Sequence, residues 1–188
     1  MINRYFELKF VNLYIETNVD IMNYYHKRIQ SPVGELKLIA SDRGLAAILW
    51  ENDNPDRVKT GGESIVDNGH LVLLETEQQL DEYFKKKRTS FTITLDFKGT
   101  DFQKKVWQEL LKIPFGETRT YGDIARQLGD IKAVRAVGAA NGKNPISIIA
   151  PCHRVIGASG KLTGFAGGLQ NKALLLNLEA SIKSPELW

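Results

Sequence analysis

The whole chain holds one cysteine, Cys152, so no internal disulfide can form and no cysteine cluster exists to hold zinc. A lone thiol fits a reducing compartment. The histidines, His26, His70 and His153, are too scattered to suggest another metal site. No apolar run reaches the roughly 18 residues that a membrane-spanning helix needs. Met1 to Asp20 mixes acids, bases and aromatics and lacks the basic-then-apolar order of a secretory signal. A cytoplasmic protein without membrane contact is therefore expected. Internal repeats and low-complexity segments are absent too.

A large net charge is also missing, since 25 Lys/Arg face 22 Asp/Glu. The distribution is uneven. Residues 1–98 carry 13 bases and 15 acids, whereas residues 99–188 carry 12 and 7. The excess sits in residues 119–161, where Arg119, Arg126, Lys132, Arg135, Lys143, Arg154 and Lys161 face only Asp123 and Asp130. Such a stretch serves either as a solvated basic face or as a local field that recruits a phosphate backbone.

The 188 residues suffice for one sizeable domain or two small ones sharing an interface. Lys27–Gln30, Glu35–Ser41 and Leu45–Glu51 are short apolar-rich runs separated by turn chemistry at Ser31–Gly34 and Asp42–Gly44. They predict an antiparallel meander. Residues 52–68 are polar and read as a loop. Leu71, Leu74, Gln78, Leu80, Tyr83 and Phe84 predict an amphipathic helix that ends in the basic run Lys85–Arg88, and Phe91–Leu95 alternates like a last strand. Gly99 marks a domain boundary.

The second half reads as helical. Thr100 and Gln103 have capping-box spacing, and Phe102, Val106, Leu110 and Ile113 follow at helical intervals until Pro114-Phe115-Gly116. A second helix is predicted from Tyr121 to Leu128 with Thr120 as its cap. A third is predicted over Lys132 to Asn141 after a turn at Gly129-Asp130-Ile131. This pair has the outline of a helix-turn-helix. The third helix is crowded with Ala133, Ala136, Gly138, Ala139, Ala140 and Gly142. Gly138 costs about 1 kcal/mol relative to Ala, so something should compensate. Close helix packing is one reason. Close approach to DNA is the other, because an ordinary helix is about 10–12 Å across and the minor groove only about 6 Å wide. Arg135 is either a surface arginine or part of that contact. Ala173–Ala180 predicts a final helix.

Pro151-Cys152-His153-Arg154 is the chemical centre. A free thiol with pKa near 8.5 is mostly protonated at neutral pH and needs a base or a positive neighbour to become a nucleophile. His153 and Arg154 are adjacent, although adjacent side chains need not face each other, and a lone cysteine also serves as a small buried hydrophobe. Glu179 is the only acid between Asp130 and Glu186 and sits among Leu174, Leu175, Leu176 and Leu178. It is either a surface carboxylate or the group that orients His153.

Pro151-Cys152-His153-Arg154-Val155 resembles the active-site signature of the methylated-DNA–protein-cysteine methyltransferases, which repair O6-methylguanine. Thr120-Tyr121-Gly122, Arg135-Ala136-Val137-Gly138, Asn144-Pro145, Gly164–Leu169 and Leu178-Glu179 resemble further elements of that family in order and spacing. The resemblance covers roughly Met22 to Ala180. It implies an α+β fold, with a small N-terminal α/β domain built on an antiparallel sheet and a helical C-terminal domain with a winged helix-turn-helix. Residues 1–21 are then an extension expected to be dispensable, with Met22 as an alternative start. Residues 22–98 form the first domain, and residues 99–188 form the DNA-binding and alkyl-acceptor domain.

The same resemblance implies roles. Cys152 accepts the alkyl group, His153 removes its proton through a water, and Glu179 orients His153. Asn144 holds the active-site backbone, and Tyr121 aids base flipping and offers its hydroxyl to the base. Arg135 fills the gap in the base stack, with Lys132, Ala136, Gly138 and Lys143 also at the minor groove. Val155, Phe165, Ala166 and Gly167 shape the pocket. Extrusion of the base is a physical necessity, because the target carbon lies inside the duplex. The implied partner is double-stranded DNA carrying O6-alkylguanine, and O4-methylthymine is a further expected substrate. No cofactor, metal or obligate protein partner is expected, and the chain is expected to act as a monomer. Transfer leaves a thioether, which water does not cleave as it cleaves a thioester, so each molecule is expected to act once.

Two departures bear on this. Phe165 and Ala166 stand where some relatives have a tyrosine and a serine, so those hydroxyls are missing. The N-terminal zinc ligands of some relatives are also missing. A non-repairing group similar in fold carries Trp in place of the acceptor, which Cys152 argues against. Two other classes are a helix-turn-helix regulator, which would leave Cys152 unalkylated, and a Cys–His–Glu hydrolase, which would turn over acyl substrates.

Overall fold

The structure, a computed structural model, describes residues 23–59 and 63–183. The extension expected at residues 1–21, with Met22, lies outside the described residues. Among these residues no helix is long and apolar enough to cross a membrane. The described residues open with β1 (Tyr24–Ser31), β2 (Gly34–Ser41) and β3 (Gly44–Trp50), each longer or shifted by a few residues against the predicted runs. β1 pairs with β2 and β2 with β3, both antiparallel, as the apolar runs and intervening turns require. The polar stretch 52–68 is not all loop. Ser64–Val66 forms β4, which lies parallel to β1 at the sheet edge and gives the order β3-β2-β1-β4.

α1 (Leu71–Phe84) packs on this sheet, but its buried face runs through Leu73, Thr76, Gln79, Leu80 and Tyr83. Leu71 is 80% exposed and Leu74 is 39% exposed, so the predicted stripe is rotated. Phe91–Leu95 is not a strand either. It is extended chain that touches β3 in a single bridge, Leu45 with Leu95, with Leu45 N donating to Thr94 O at 2.8 Å.

α2 (Asp101–Leu111) begins at the Thr100–Gln103 capping box, with both reciprocal hydrogen bonds present. Val106, Trp107 and Leu110 face inward, while Phe102 and Leu111 remain partly exposed. β5 (Arg119–Thr120) leads into α3 (Tyr121–Gln127), where Thr120 and Asp123 form a second capping box. Gly129 turns the chain at φ +84°, a conformation that suits glycine. A 3-10 turn at Ile131–Ala133 then precedes α4 (Val134–Gly142), so the third helix begins two residues later than predicted. Trp107 Nε1 donates to Ala140 O at 2.8 Å and ties α4 to α2. β6 (Val155–Ile156) pairs parallel to β5. α5 (Gly168–Lys183) is twice the predicted length and closes the fold.

The main core draws on both halves of the chain. Leu36, Leu38, Ile48 and Leu80 share it with Ile146, Ile148, Ile149 and Leu175. The second core joins α2, α3 and α4 through Val106, Trp107, Ile124 and Val137, and Cys152 lies in it.

Candidate active site

Residues 144–151 place the cysteine. Asn144 is buried; its Nδ2 donates to Ala150 O at 2.8 Å and its Oδ1 accepts from Ile146 N at 3.1 Å. Ile48 N donates to Pro145 O at 2.9 Å, so the edge of β3 anchors the same segment. Inside this clamp Ile148 sits at φ +74°, a strained conformation for a β-branched residue. The turn delivers Cys152, His153 and Arg154 into a 3-10 turn, with all three side chains buried.

Glu179 on α5 is fully buried and gathers five donors. His153 Nε2 lies 2.7 Å from its Oε1, Arg154 Nε and Nη2 donate at 2.9 and 3.0 Å, Tyr83 Oη donates at 2.8 Å, and Gly116 N donates at 2.9 Å. Burial alone would raise the Glu179 carboxyl, but the hydrogen bonds from His153 and Arg154 outweigh it and bring it down to about 2. The carboxylate is therefore charged at neutral pH. Burial also holds His153 below its ordinary 6.5, against the pull of Glu179, so the imidazole is neutral. With Nε2 turned to Glu179, Nδ1 is the other ring nitrogen; it is buried and has no protein partner. Burial pushes the Cys152 thiol up, opposed by hydrogen bonding with Asn144 and Ser147 and by the charges of Arg57 and Lys172. At rest Cys152 is a thiol and His153 a neutral imidazole.

A cavity of about 300 Å³ opens beside Cys152. Tyr121 and Gly138 line it from the helix-turn-helix, Asn144 and Ser147 from the clamped segment, and Phe165 and Ala166 from the loop before α5. Tyr121 Oη is 3.0 Å from Thr163 Oγ1 across its rim. Val155 and Gly167, expected in the pocket, do not line it. Val155 is buried and its carbonyl accepts from Lys172 Nζ at 2.6 Å. Gly167 faces Trp50, where a Cβ would come within 2.6 Å of the indole, so glycine is required there. Arg135, Ala136 and Lys132 are exposed around the start of α4, and Lys143, just past its end, donates to Asp56 O at 3.0 Å. No group of three or more metal-binding side chains occurs among the described residues.

Sequence reasoning missed several neighbours of the cysteine. Arg57 comes from the polar stretch after β3. Its guanidinium donates to Asn144 O and pairs with Asp53, and it lines the cavity. Nothing in that stretch distinguishes Arg57 from a loop arginine. Ser147 Oγ lies 4.0 Å from Cys152 Sγ. Lys172 is fully buried, donating to Val155 O and Thr163 O. A lysine beside a leucine run on α5 was the one available signal. Tyr83 reads as an apolar residue of α1, yet its hydroxyl reaches Glu179.

Two family profiles match the chain: "6-O-methylguanine DNA methyltransferase, ribonuclease-like domain" over residues 23–97 and "6-O-methylguanine DNA methyltransferase, DNA binding domain" over residues 101–181. A methylated-DNA–protein-cysteine methyltransferase of Mycobacterium tuberculosis is 47% identical over 159 residues, covering 84% of this chain and 93% of the relative. One from Methanosarcina acetivorans is 46% identical over 157 residues, covering 84% and 99%. The crystal structure of Mycobacterium tuberculosis OGT in complex with DNA superimposes with a TM-score of 0.77 at 47% identity, covering 84% of this chain and 94% of that one.

Proposed function

The chain belongs to the 6-O-methylguanine DNA methyltransferase family and is a DNA repair methyltransferase whose acceptor is a protein cysteine; we propose that this acceptor is Cys152 and that each molecule acts once. The observation that carries the assignment is that Cys152, the sole cysteine, lies on the wall of a cavity of about 300 Å³ while the next residue in the chain, His153, is paired with the buried Glu179.

The alkylated guanine is flipped from the duplex into this cavity. His153 Nδ1 takes the Cys152 proton through a water while Glu179 holds Nε2 and stabilises the imidazolium that forms. The thiolate attacks the alkyl carbon, so that an S–C bond forms as the C–O6 bond breaks and the bonding pair passes to O6. One proton, equal to that taken from Cys152, restores ordinary guanine. Tyr121 and backbone N–H groups around Phe165 and Ala166 face the departing oxygen, in place of the hydroxyls that Phe165 and Ala166 lack. O4-methylthymine fits the same chemistry at a methylated exocyclic oxygen. Arg135 takes the place of the flipped base in the stack. Lys132 and Lys143 meet the backbone, with Ala136 and Gly138 leaving room for the minor groove. In this reading residues 22–98 support the site, residues 99–188 carry the acceptor, and the protein acts as a monomer.

Intact-protein mass before and after exposure to duplex O6-methylguanine tests this. The expected result is a gain of one methyl group, located on Cys152, with a ceiling of one per molecule. Cys152→Ala should bind the duplex and gain nothing. Repeated turnover, or methylation of the Ala variant, would overturn the mechanism.

A further inference from the structure

The reaction above gives no part to one hydroxyl at the acceptor. Ser147 is fully buried and lines the cavity with Cys152, and its Oγ lies 4.0 Å from Cys152 Sγ. The same oxygen accepts from Trp50 Nε1 at 3.4 Å. Trp50, at the end of β3, is buried too and packs edge-on against Phe165 with ring centroids 5.2 Å apart. At rest, then, the thiol S–H and the indole N–H both donate to Ser147 Oγ. Among the described residues nothing accepts the hydrogen of the Ser147 hydroxyl itself. A buried O–H without an acceptor costs stability. The backbone is strained at the same place. Ser147 O accepts from Ile149 N at 3.0 Å across Ile148, whose φ of +74° makes a γ-turn of the rare, strained kind. Strain of this sort clusters where a site has a use for it.

Ionisation of Cys152 supplies the missing acceptor. Once the thiol proton has left for His153, the charged sulfur takes hydrogen bonds instead of giving one. Resting on the alkyl-acceptor reading, we propose that Ser147 is a catalytic residue whose hydroxyl turns to donate to the Cys152 thiolate, while Trp50 Nε1 goes on donating to Ser147 Oγ and holds it in place. Ser147 keeps its proton throughout. Hydrogen bonds to a charged group are about twice as strong as neutral ones and shorter, so a contact that is loose at rest tightens as the nucleophile forms. Formation of the S–C bond removes the charge from sulfur, so the hydrogen bond serves the nucleophile and not the product. Through Trp50 the sheet takes part in the chemistry of a cysteine that lies beyond Gly99.

The test reads the nucleophile apart from DNA. Alkylation of Cys152 by iodoacetamide, followed by intact mass, is timed across pH for the unaltered chain, Ser147→Ala, Ser147→Thr and Trp50→Phe. Arg57, Lys172 and Tyr121 around the sulfur, and His153 with its partner Glu179, are the same in every variant. Ser147→Ala should move the rate profile up by about one pH unit, the scale of one hydrogen bond to a charged group. Ser147→Thr, which keeps the hydroxyl, should restore most of the unaltered profile. Trp50→Phe, which keeps a ring beside Phe165 but no N–H, should move it in the same direction by less, and it repeats the test should Ser147→Ala fail to fold. Single-turnover methyl transfer by Ser147→Ala should slow by only about threefold, on duplex O6-methylguanine and free O6-benzylguanine alike. A roughly tenfold loss of thiolate is offset by roughly threefold greater nucleophilicity of the more basic sulfur. A folded Ser147→Ala whose iodoacetamide profile does not shift, whatever its methyl-transfer rate, would overturn the proposal. So would a Ser147→Thr shift as large as that of Ser147→Ala. Absence of methyl transfer by the unaltered protein would instead overturn the alkyl-acceptor reading on which the proposal rests.

Discussion

His153 and Cys152 are each moved by burial toward their neutral forms, and Glu179 is moved by its donors toward the charged one. This fixes how the site responds to pH. His153 in the folded chain titrates below its ordinary 6.5, so between that folded value and 6.5 the unfolded chain binds more protons, and stability falls on acidification. Glu179 acts in the same sense lower down: its contribution is complete above the ordinary 4.5 and disappears as pH falls toward about 2. Cys152 acts in the opposite sense, since its folded value lies above the ordinary 9.0 and its contribution is lost as pH rises past 9.0. The thermal midpoint should therefore hold a plateau between about pH 6.5 and 9, with an acid limb below it. The methyl-transfer rate should stay level across neutral pH and fall only below 6.5, where His153 gains a proton and no longer accepts one from Cys152. Calorimetry and single-turnover rates across pH check both. A transfer rate that drops already above pH 7 would contradict a buried neutral base. The proposed acceptor and its proposed base could be singled out in the sequence because Cys152 is unique and His153 adjoins it. The five-donor environment of Glu179 was not, because Tyr83 and Gly116 lie 96 and 63 residues away along the chain.

At the scale of the element, α4 poses a question through Gly138. A Cβ added there would stand 3.9 Å from Tyr121 Cδ1, an ordinary contact, so nothing among the described residues requires glycine. Close helix packing, one of the two explanations open from the sequence, is thereby removed. Gly138→Ala should raise stability by up to about 1 kcal/mol through helix propensity. If the glycine serves approach to DNA, the same change should slow repair of duplex O6-methylguanine by about tenfold, the effect of a clash worth about 1.4 kcal/mol. Reaction with free O6-benzylguanine, which needs no groove, should change less. Thermal melts and paired rate measurements decide. A variant that is more stable and equally fast on duplex would place Gly138 outside the interface. Elements bounded by their own side chains were readable in advance. The capping boxes at Thr100 and Thr120 start α2 and α3 where the spacing predicts. Elements defined by distant partners were not. β4 has three residues and is held by parallel pairing with β1. Phe91–Leu95 alternates as a strand does, but only Leu95 finds a bridging partner. α1 is helical as expected, yet packing against the sheet selects the Leu73–Leu80–Tyr83 face over the more apolar-looking Leu71–Leu74 one.

Across the whole molecule, the division at Gly99 and the arrangement of the core pull in different directions. The two family profiles meet near that residue, but the largest core crosses it, since Leu36, Leu38 and Ile48 of the sheet pack with Ile146, Ile148, Ile149 and Leu175. The site crosses it too, because Arg57 and Tyr83 reach Asn144 and Glu179. Separating the halves would expose those isoleucines and leave the buried Arg154–Glu179 pair without the Tyr83 hydroxyl. Residues 99–188 hold the second core by themselves, but the largest core is shared between the halves, so the chain should unfold in one cooperative transition. Leu38→Ala tests this, because Leu38 is fully buried in β2 and far along the chain from Cys152. Removal of a buried leucine side chain costs about 2–5 kcal/mol. Under a single transition that loss must appear equally in two probes: the far-ultraviolet midpoint in denaturant, and the midpoint at which Cys152 becomes reactive toward a thiol reagent. Both should move down together and by the same amount. A Cys152 midpoint that stays in place while the far-ultraviolet midpoint falls would show that residues 99–188 hold the acceptor site without the sheet.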